Sequence, residues 1–166
     1  MPDLAWFALR VKPRAERVVA DVLDGKGYEY FLPMHRERRR WSDRVKTVDT
    51  PLFAGYLFCR FDVQFRLPIL TSPGVLHVVS IGKVPEPIPD EEIESLQVLT
   101  RSGLTLEPWP FLQIGEQVRI VAGPLAGAAG VVQSVKDRDR LVVSVTLLQR
   151  SVAVVVPESC LWPASA

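Results

Sequence analysis

Short apolar runs separated by charged or glycine-containing segments fill the first hundred residues. The run LAWFALRV at 4–11 ends at Lys12–Pro13 and predicts a buried strand, while 13–27 places valines and a leucine on one helical face before two glycines. Carboxylates in the first turn of the segment 88–103 suit the positive end of a helix dipole. The predicted elements are strands at 4–11, 28–34, 55–61 and 75–82, helices at 13–27, 63–74 and 88–103, and a β-hairpin at 35–50. We therefore predict an α+β fold with helices packed on one antiparallel sheet.

The pattern changes after residue 103. The segment 104–113 contains two prolines and no steady period, which is typical of a linker. Four short valine-rich segments then follow, separated by turn signals such as DRDR, and they predict a small closed SH3-like β-barrel. We therefore predict a first domain at 1–103, a linker at 104–113 that tethers loosely, and a barrel at 114–166.

Charge is segregated along the chain although the formal net charge is only +1. The stretch HRERRRWSDRVK at 35–46 holds six basic and two acidic residues, whereas PDEEIE at 89–94 carries only acidic charge. A charged hairpin edge has an ordinary explanation, because charge on an exposed strand prevents edge-to-edge aggregation. The alternative is contact with nucleic-acid phosphates, and the excess of basic residues keeps that alternative open.

Several function classes find no support in the sequence. No run of 18 apolar residues and no signal-peptide pattern is present, so we predict no membrane contact. Cys59 and Cys160 lie far apart in apolar surroundings, which indicates buried reduced thiols in a cytoplasmic protein. His35 and His77 have no metal-spaced partners, and no nucleophile motif occurs. We predict a protein that is not an enzyme and that needs no cofactor or metal.

A glycine-containing motif links the first two strands of the predicted barrel. In GEQVRIVAGPLAGAAGVVQSV at 115–135, strands flank the glycines on both sides, whereas a phosphate-binding loop would lead into a helix. The glycines permit positive φ and close backbone approach where one strand turns into the next. The stretch resembles a KOW motif, the strand-loop-strand unit of small barrels in ribosomal proteins and transcription factors.

The stretch PLFAGYLFCRF at 51–61 carries the resemblance for the whole chain. Together with the preceding strand, helix and basic hairpin, it resembles the N-terminal domain of NusG-type transcription elongation factors, which have a Phe-Pro-Gly-Tyr-like step here. This chain has Ala54 at the proline position. The segments 102–120 and 141–156 resemble specialised paralogues of the RfaH and UpxY kind, which act on selected operons, and a general factor is the alternative.

The resemblance implies three sets of binding residues. An apolar depression on the sheet is expected to bind the clamp helices of the largest subunit of RNA polymerase, although a core role is the alternative for Ile81 and Leu96. The residues are Tyr56, Phe58, Ile81, Ile93 and Leu96. DNA near the upstream fork or the non-template strand is expected to contact Arg10, Lys12, Arg14, Arg17, Arg36, Arg38, Arg39, Arg40, Trp41, Arg44 and Lys46. The barrel is expected to bind ribosomal protein S10 or Rho through Leu148, Gln149 and Arg150.

The resemblance implies a cytoplasmic, monomeric transcription elongation and antitermination factor that suppresses pausing. Some RfaH relatives hold the second domain as a helical hairpin, but dense β-branched valine favours a barrel here. A ribosome- or RNA-associated KOW protein acting in translation is the alternative function. Residues 105–166 hold five basic and five acidic residues, and such a neutral barrel is a poor binder of ribosomal RNA.

Overall fold

A computed structural model describes residues 3–112 and 114–162. Residues 1, 2, 113 and 163–166, which include the last position of the predicted linker and the end of the predicted barrel, lie outside the described residues. The elements in chain order are β1 (Leu4–Val11), α1 (Glu16–Gly25), β2 (Glu29–Phe31), β3 (Met34–Trp41), β4 (Arg44–Pro51), β5 (Tyr56–Asp62), a 3₁₀ turn (Val63–Phe65), α2 (Leu67–Leu70), β6 (Val75–Val78), β7 (Ser80–Ile81), β8 (Val84–Pro85), α3 (Asp90–Arg101), β9 (Leu106–Trp109), β10 (Gln117–Arg119), β11 (Ala129–Val135), β12 (Arg138–Val145) and β13 (Arg150–Val155).

The chain divides into two compact units. The first unit comprises Met1–Pro33 and Phe53–Asp90, and the second comprises Met34–Leu52 and Glu91–Ala166. The second unit therefore includes the β3–β4 hairpin and nearly all of α3, both of which lie within the predicted first domain at 1–103. The predicted domain boundaries at residues 103 and 114 stay a prediction.

The first unit is built on an antiparallel four-stranded sheet with the order β2-β5-β1-β6. Phe7 and Leu9 of β1 lie opposite Cys59 and Leu57 of β5. These side chains form one buried cluster with the apolar face of α1, including Val19, because side chains on one face of a strand recur every second residue. The α+β class is confirmed for this part of the chain.

The second unit contains a five-stranded sheet with the order β10-β11-β12-β13-β9 and the two-stranded β3–β4 hairpin. An isolated bridge between Ala122 and Leu161 adds a contact beyond the regular strands. At Gly130 a Cβ atom would lie 2.4 Å from the carbonyl oxygen of Val142, so β11 and β12 approach too closely there for any other residue. The segment is β rather than helical, as its valine content predicts.

The predicted linker contains an edge strand. β9 pairs antiparallel with β13, with Trp109 opposite Ser151. The indole nitrogen of Trp109 donates to Oε1 of Gln133 at 2.9 Å, and the Arg140 guanidinium lies 5.1 Å from the ring centroid. The prolines of this segment suggested a linker, but an edge strand tolerates proline because its outer N–H groups need no partner. The expectation of a loose tether is therefore wrong for residues 106–109.

Candidate binding surfaces

Strand β5 uses aromatic residues on both faces because both faces are covered. Cys59 and Phe61 join the cluster beneath α1. Phe58 points to the opposite face and is nevertheless fully buried. Its ring lies 6.1 Å from that of Phe31 in a stacked arrangement and 5.8 Å from that of Phe53 in an edge arrangement. These centroid distances are typical of stabilising aromatic pairs, so Phe58 is a packing residue here, and the structure corrects its expected exposure.

Tyr56 lies at the open end of this second face. The cross-strand register places Arg10 of β1 between Tyr56 of β5 and His77 of β6. The Arg10 guanidinium lies 4.8 Å from the centroid of the Tyr56 ring, within cation–π distance. Gly55 makes room for it, because a Cβ there would lie 2.6 Å from Nη1 of Arg10. Tyr56 is thus half-buried and held by its neighbour, while His77 is exposed.

The other residues predicted to bind polymerase differ in exposure. Ile81 in β7 is 62% exposed, which disfavours a core role for it. Ile93 and Leu96 of α3 are fully buried, and the structure therefore corrects their expected exposure. Periodicity identifies them as the apolar stripe of a helix but does not tell whether that stripe is open or covered. A direct contact with polymerase stays a prediction for all of them.

The first turns of α3 make polar contacts with the five-stranded sheet and its loops. Glu91 pairs with Arg119, and the carboxylate of Glu92 accepts from the Thr146 hydroxyl at 2.8 Å and from its N–H at 3.2 Å. The buried hydroxyl of Ser95 accepts from the Ala129 N–H at 3.0 Å. Sequence reasoning assigned the acidic residues to the helix dipole alone and missed Ser95, for which no local signal exists.

Burial at this contact affects the titration of one carboxyl group. It raises the pKa of Glu92, and the nearby charge of Glu91 adds to the effect. The hydrogen bonds from Thr146 favour the ionised form and oppose the shift. Burial prevails, so ionised Glu92 is less stable in this position than in water.

The first strand–helix turn carries the residues predicted to read DNA. Lys12, Arg14 and Arg17 are exposed together there. Arg14 adopts φ of 65°, a left-handed conformation that is uncommon for a residue with a side chain. Arg10 is separate from the others, because its guanidinium lies over Tyr56. Their contact with DNA stays a prediction.

All six Lys and Arg residues of the β3–β4 hairpin, each predicted to contact nucleic acid, are exposed. The two strands pair only with each other among the described residues, in register from Met34–Pro51 to Trp41–Arg44. Trp41 at the end of the hairpin is 54% exposed. The predicted hairpin at 35–50 is thereby confirmed as an element, with two acidic residues, Glu37 and Asp49, close to arginines.

The predicted partner loop of the barrel joins β12 to β13. Gln149 and Arg150 are exposed and Leu148 is half-buried. Gln149 adopts φ of 51°, as a tight connection between antiparallel strands requires. Thr146, the first residue of this loop, is hydrogen-bonded to Glu92. Its binding role stays a prediction.

Burial also affects the titration of a cysteine in the first unit. Burial raises the pKa of the Cys59 thiol to about 12, with a smaller contribution from Glu29, so this thiol is not a nucleophile at neutral pH. Within residues 3–112 and 114–162, no group of three or more His, Cys, Asp or Glu residues could hold a metal ion. No helix in that part of the chain has the length and apolar character to cross a membrane.

Comparison of the sequence with known proteins identifies the family to which this chain belongs. The model of the NusG family, described as transcription termination factor nusG, matches residues 4–97, more than half of the chain. The chain belongs to the NusG family, whose members are transcription factors and not enzymes. It is 28% identical to the transcription termination/antitermination protein NusG of Thermus thermophilus, over 92% of this chain and 94% of that one. Identity to the protein of the same name from Staphylococcus aureus is also 28%, over 91% of each.

A solved structure shows the same fold. The chain resembles a structure described as domain interaction in Thermotoga maritima NusG, with a TM-score of 0.52, 22% identity, and 93% of each chain covered. The predicted resemblance to NusG-type factors is confirmed. The assignment to the specialised paralogues of the RfaH and UpxY kind stays a prediction.

Proposed function

We propose that this protein is a transcription elongation and antitermination factor that binds RNA polymerase through the sheet face that carries Tyr56. The observation that carries the proposal is the position of Tyr56, which is half-buried at the open end of a face whose inner part is closed by Phe58. An aromatic side chain that is partly open and rigidly held is typical of a binding anchor. Arg10 holds the ring and adds a cationic rim beside it.

The proposed partner is the two-helix coiled coil at the clamp of the largest polymerase subunit. A coiled-coil tip offers apolar side chains surrounded by charge, which suits an aromatic anchor with a charged rim. Ile81 extends the apolar surface of the first unit, since it is 62% exposed. Contacts on both sides of the polymerase cleft would keep the clamp closed, and a closed clamp discourages pausing and termination.

Nucleic acid and a second protein complete the proposal. The exposed basic residues at 12–17 and in the hairpin would contact DNA that leaves the polymerase, because clustered Lys and Arg bind phosphates. The exposed loop at 148–150 would bind ribosomal protein S10 or Rho. We place the protein in the cytoplasm, as a monomer and as a specialised paralogue that acts on selected operons.

Two parallel assays test the proposal. Purified protein is mixed with core RNA polymerase in a pull-down and with ribosomes in a co-sedimentation assay. We expect retention on polymerase and none on ribosomes beyond a control protein of equal charge. Retention on ribosomes alone would overturn the proposal and favour the translation-associated alternative.

A further inference from the structure

A groove of about 380 Å³ lies in the first unit, where β1 and β2 begin and β5 ends. Its lining combines apolar and charged side chains: Leu4, Tyr28, Glu29, Arg60, Asp62 and Phe65. Asp62 is the last residue of β5 and Tyr56 is the first, six positions away. A strand rises about 3.3 Å per residue, so the groove lies about 20 Å from Tyr56 along the strand.

The apolar side of the groove contains an aromatic ring that does not contribute to the core. Phe65, in the 3₁₀ turn after β5, is 68% exposed, and Leu4 beside the same groove is also exposed. Within the described residues, Phe65 has no aromatic or cationic side chain against its ring. Exposed apolar side chains that meet at one groove with a polar rim are typical of a binding surface.

The charged side of the groove contains a carboxylate held by the backbone. Oδ1 of Asp62 accepts from the Gln64 N–H and Oδ2 accepts from the Asp3 N–H, each at 3.0 Å. A carboxylate offers about four acceptor positions, so each oxygen keeps one for a further donor.

The charge of Asp62 is not balanced by a neighbouring cation. Arg60 also lines the groove, but its guanidinium pairs with Glu29 at 3.5 Å. Among the described residues, Asp62 forms no ion pair. The groove therefore combines an open aromatic ring with a rigid, half-buried carboxylate that has no cationic partner.

We infer that this groove binds an arginine side chain in a basic segment of a second protein, with the guanidinium stacked on Phe65 and two of its N–H groups donating to Asp62. A guanidinium is planar, so it stacks on an aromatic ring and pairs with both oxygens of a carboxylate. An ammonium group cannot do both equally well, which favours arginine over lysine. An apolar neighbour of that arginine would contact Leu4. The inference goes beyond the proposed function and does not depend on it, because the groove is separate from the Tyr56 end of the face.

An NMR titration of the isotope-labelled full chain tests this inference. The probes are a short capped peptide in which arginine alternates with leucine and a twin in which uncharged citrulline replaces arginine. Three variants are compared with the wild type: Asp62→Asn, Phe65→Ala, and the matched control Asp21→Asn, which removes an exposed carboxylate on α1. Asparagine caps a helical turn about as well as aspartate, so Asp62→Asn removes the charge and keeps the turn.

We expect the arginine peptide to shift the amide signals of the groove residues and to bind about tenfold more tightly than its citrulline twin. Asp62→Asn should weaken the arginine peptide about tenfold and leave the twin unchanged, because only the charged peptide pairs with Asp62. Phe65→Ala should weaken the arginine peptide about threefold through the lost cation–π contact. Asp21→Asn should stay within about twofold of the wild type. The urea midpoints of all variants should be equal.

Equal affinities of the arginine and citrulline peptides would overturn the inference, as would an equal loss for Asp21→Asn and Asp62→Asn, which would show unselective attraction to acidic residues. Retention on core RNA polymerase is measured alongside and should be equal for the wild type, Asp62→Asn and Phe65→Ala. Loss of retention would make the groove part of the polymerase-binding surface and would overturn the assignment to a second protein. Sedimentation of the wild type as a dimer that Phe65→Ala dissociates would identify a second copy of this chain as the occupant instead. Failure of the wild type itself to bind polymerase would count against the proposed function and leave the peptide result standing.

Discussion

Replacing Phe58 by alanine tests whether the second face of the sheet is packed as described. Phe58 is fully buried, and truncating a buried phenylalanine typically lowers the free energy of unfolding by about 3–5 kcal/mol. The upper half of that range is expected, because ring pairs with Phe31 and Phe53 contribute about 0.5–1.5 kcal/mol each beyond area burial. With a urea dependence of about 2 kcal/mol per M, the unfolding midpoint should fall by about 2 M.

Urea unfolding of the full chain, followed by tryptophan fluorescence, measures the effect, since buried Trp6 lies in the same sheet. Phe65→Ala is the matched control: the same substitution in the same unit at a residue that is 68% exposed. It should change the free energy of unfolding by less than about 0.5 kcal/mol. Equal midpoints for the Phe58 and Phe65 variants would refute the packing argument and would return Phe58 to the exposed binding face.

Two further predictions concern the second unit. Burial raises the pKa of Glu92 in the folded state, so its contribution to stability is fully present below the unfolded pKa and is lost as pH rises through the folded pKa. Glu92→Gln cannot ionise, and its urea midpoint should therefore fall less than that of the wild type as the pH rises above the ordinary glutamate pKa of about 4.3; parallel pH profiles would contradict this. A fragment that starts at residue 104 should unfold at higher denaturant than one that starts at 112, because only the longer fragment contains β9, which pairs with β13. Far-UV circular dichroism should show β structure in the longer fragment, and identical midpoints would show that β9 adds no stability.

Periodicity predicted most elements of the fold, although the predicted helix at 63–74 is a 3₁₀ turn at Val63–Phe65 followed by a four-residue helix at Leu67–Leu70. It did not predict what covers the elements. The period of two placed Tyr56 and Phe58 on the same face of β5, which the structure confirms. It could not show that Phe31 and Phe53 close that face over Phe58, because those contacts depend on the tertiary path of the chain. For the same reason the apolar stripe of α3 was identified while the burial of Ile93 was not.

Contacts between residues far apart in the chain could not be predicted from the sequence. Arg10 was grouped with the basic residues of its own turn, since only the strand register places it over Tyr56. The Ser95–Ala129 hydrogen bond joins residues 34 positions apart, and a single serine in a helix carries no signal of such a partner. The prolines near β9 suggested a linker because sequence patterns alone do not distinguish an edge strand from an extended loop.

The most direct test of the central claim is the affinity of the Tyr56→Ala variant for core RNA polymerase, measured by biolayer interferometry. Removing an aromatic anchor typically weakens binding by at least about 2 kcal/mol, or roughly thirtyfold. Tyr30→Ala is the control, since Tyr30 is exposed in the same sheet but lies opposite Cys59, on the other face. We predict a loss of about thirtyfold or more for Tyr56→Ala and none for Tyr30→Ala, with equal unfolding midpoints. Equal affinities for the two variants would contradict the assignment of the Tyr56 face as the polymerase-binding surface.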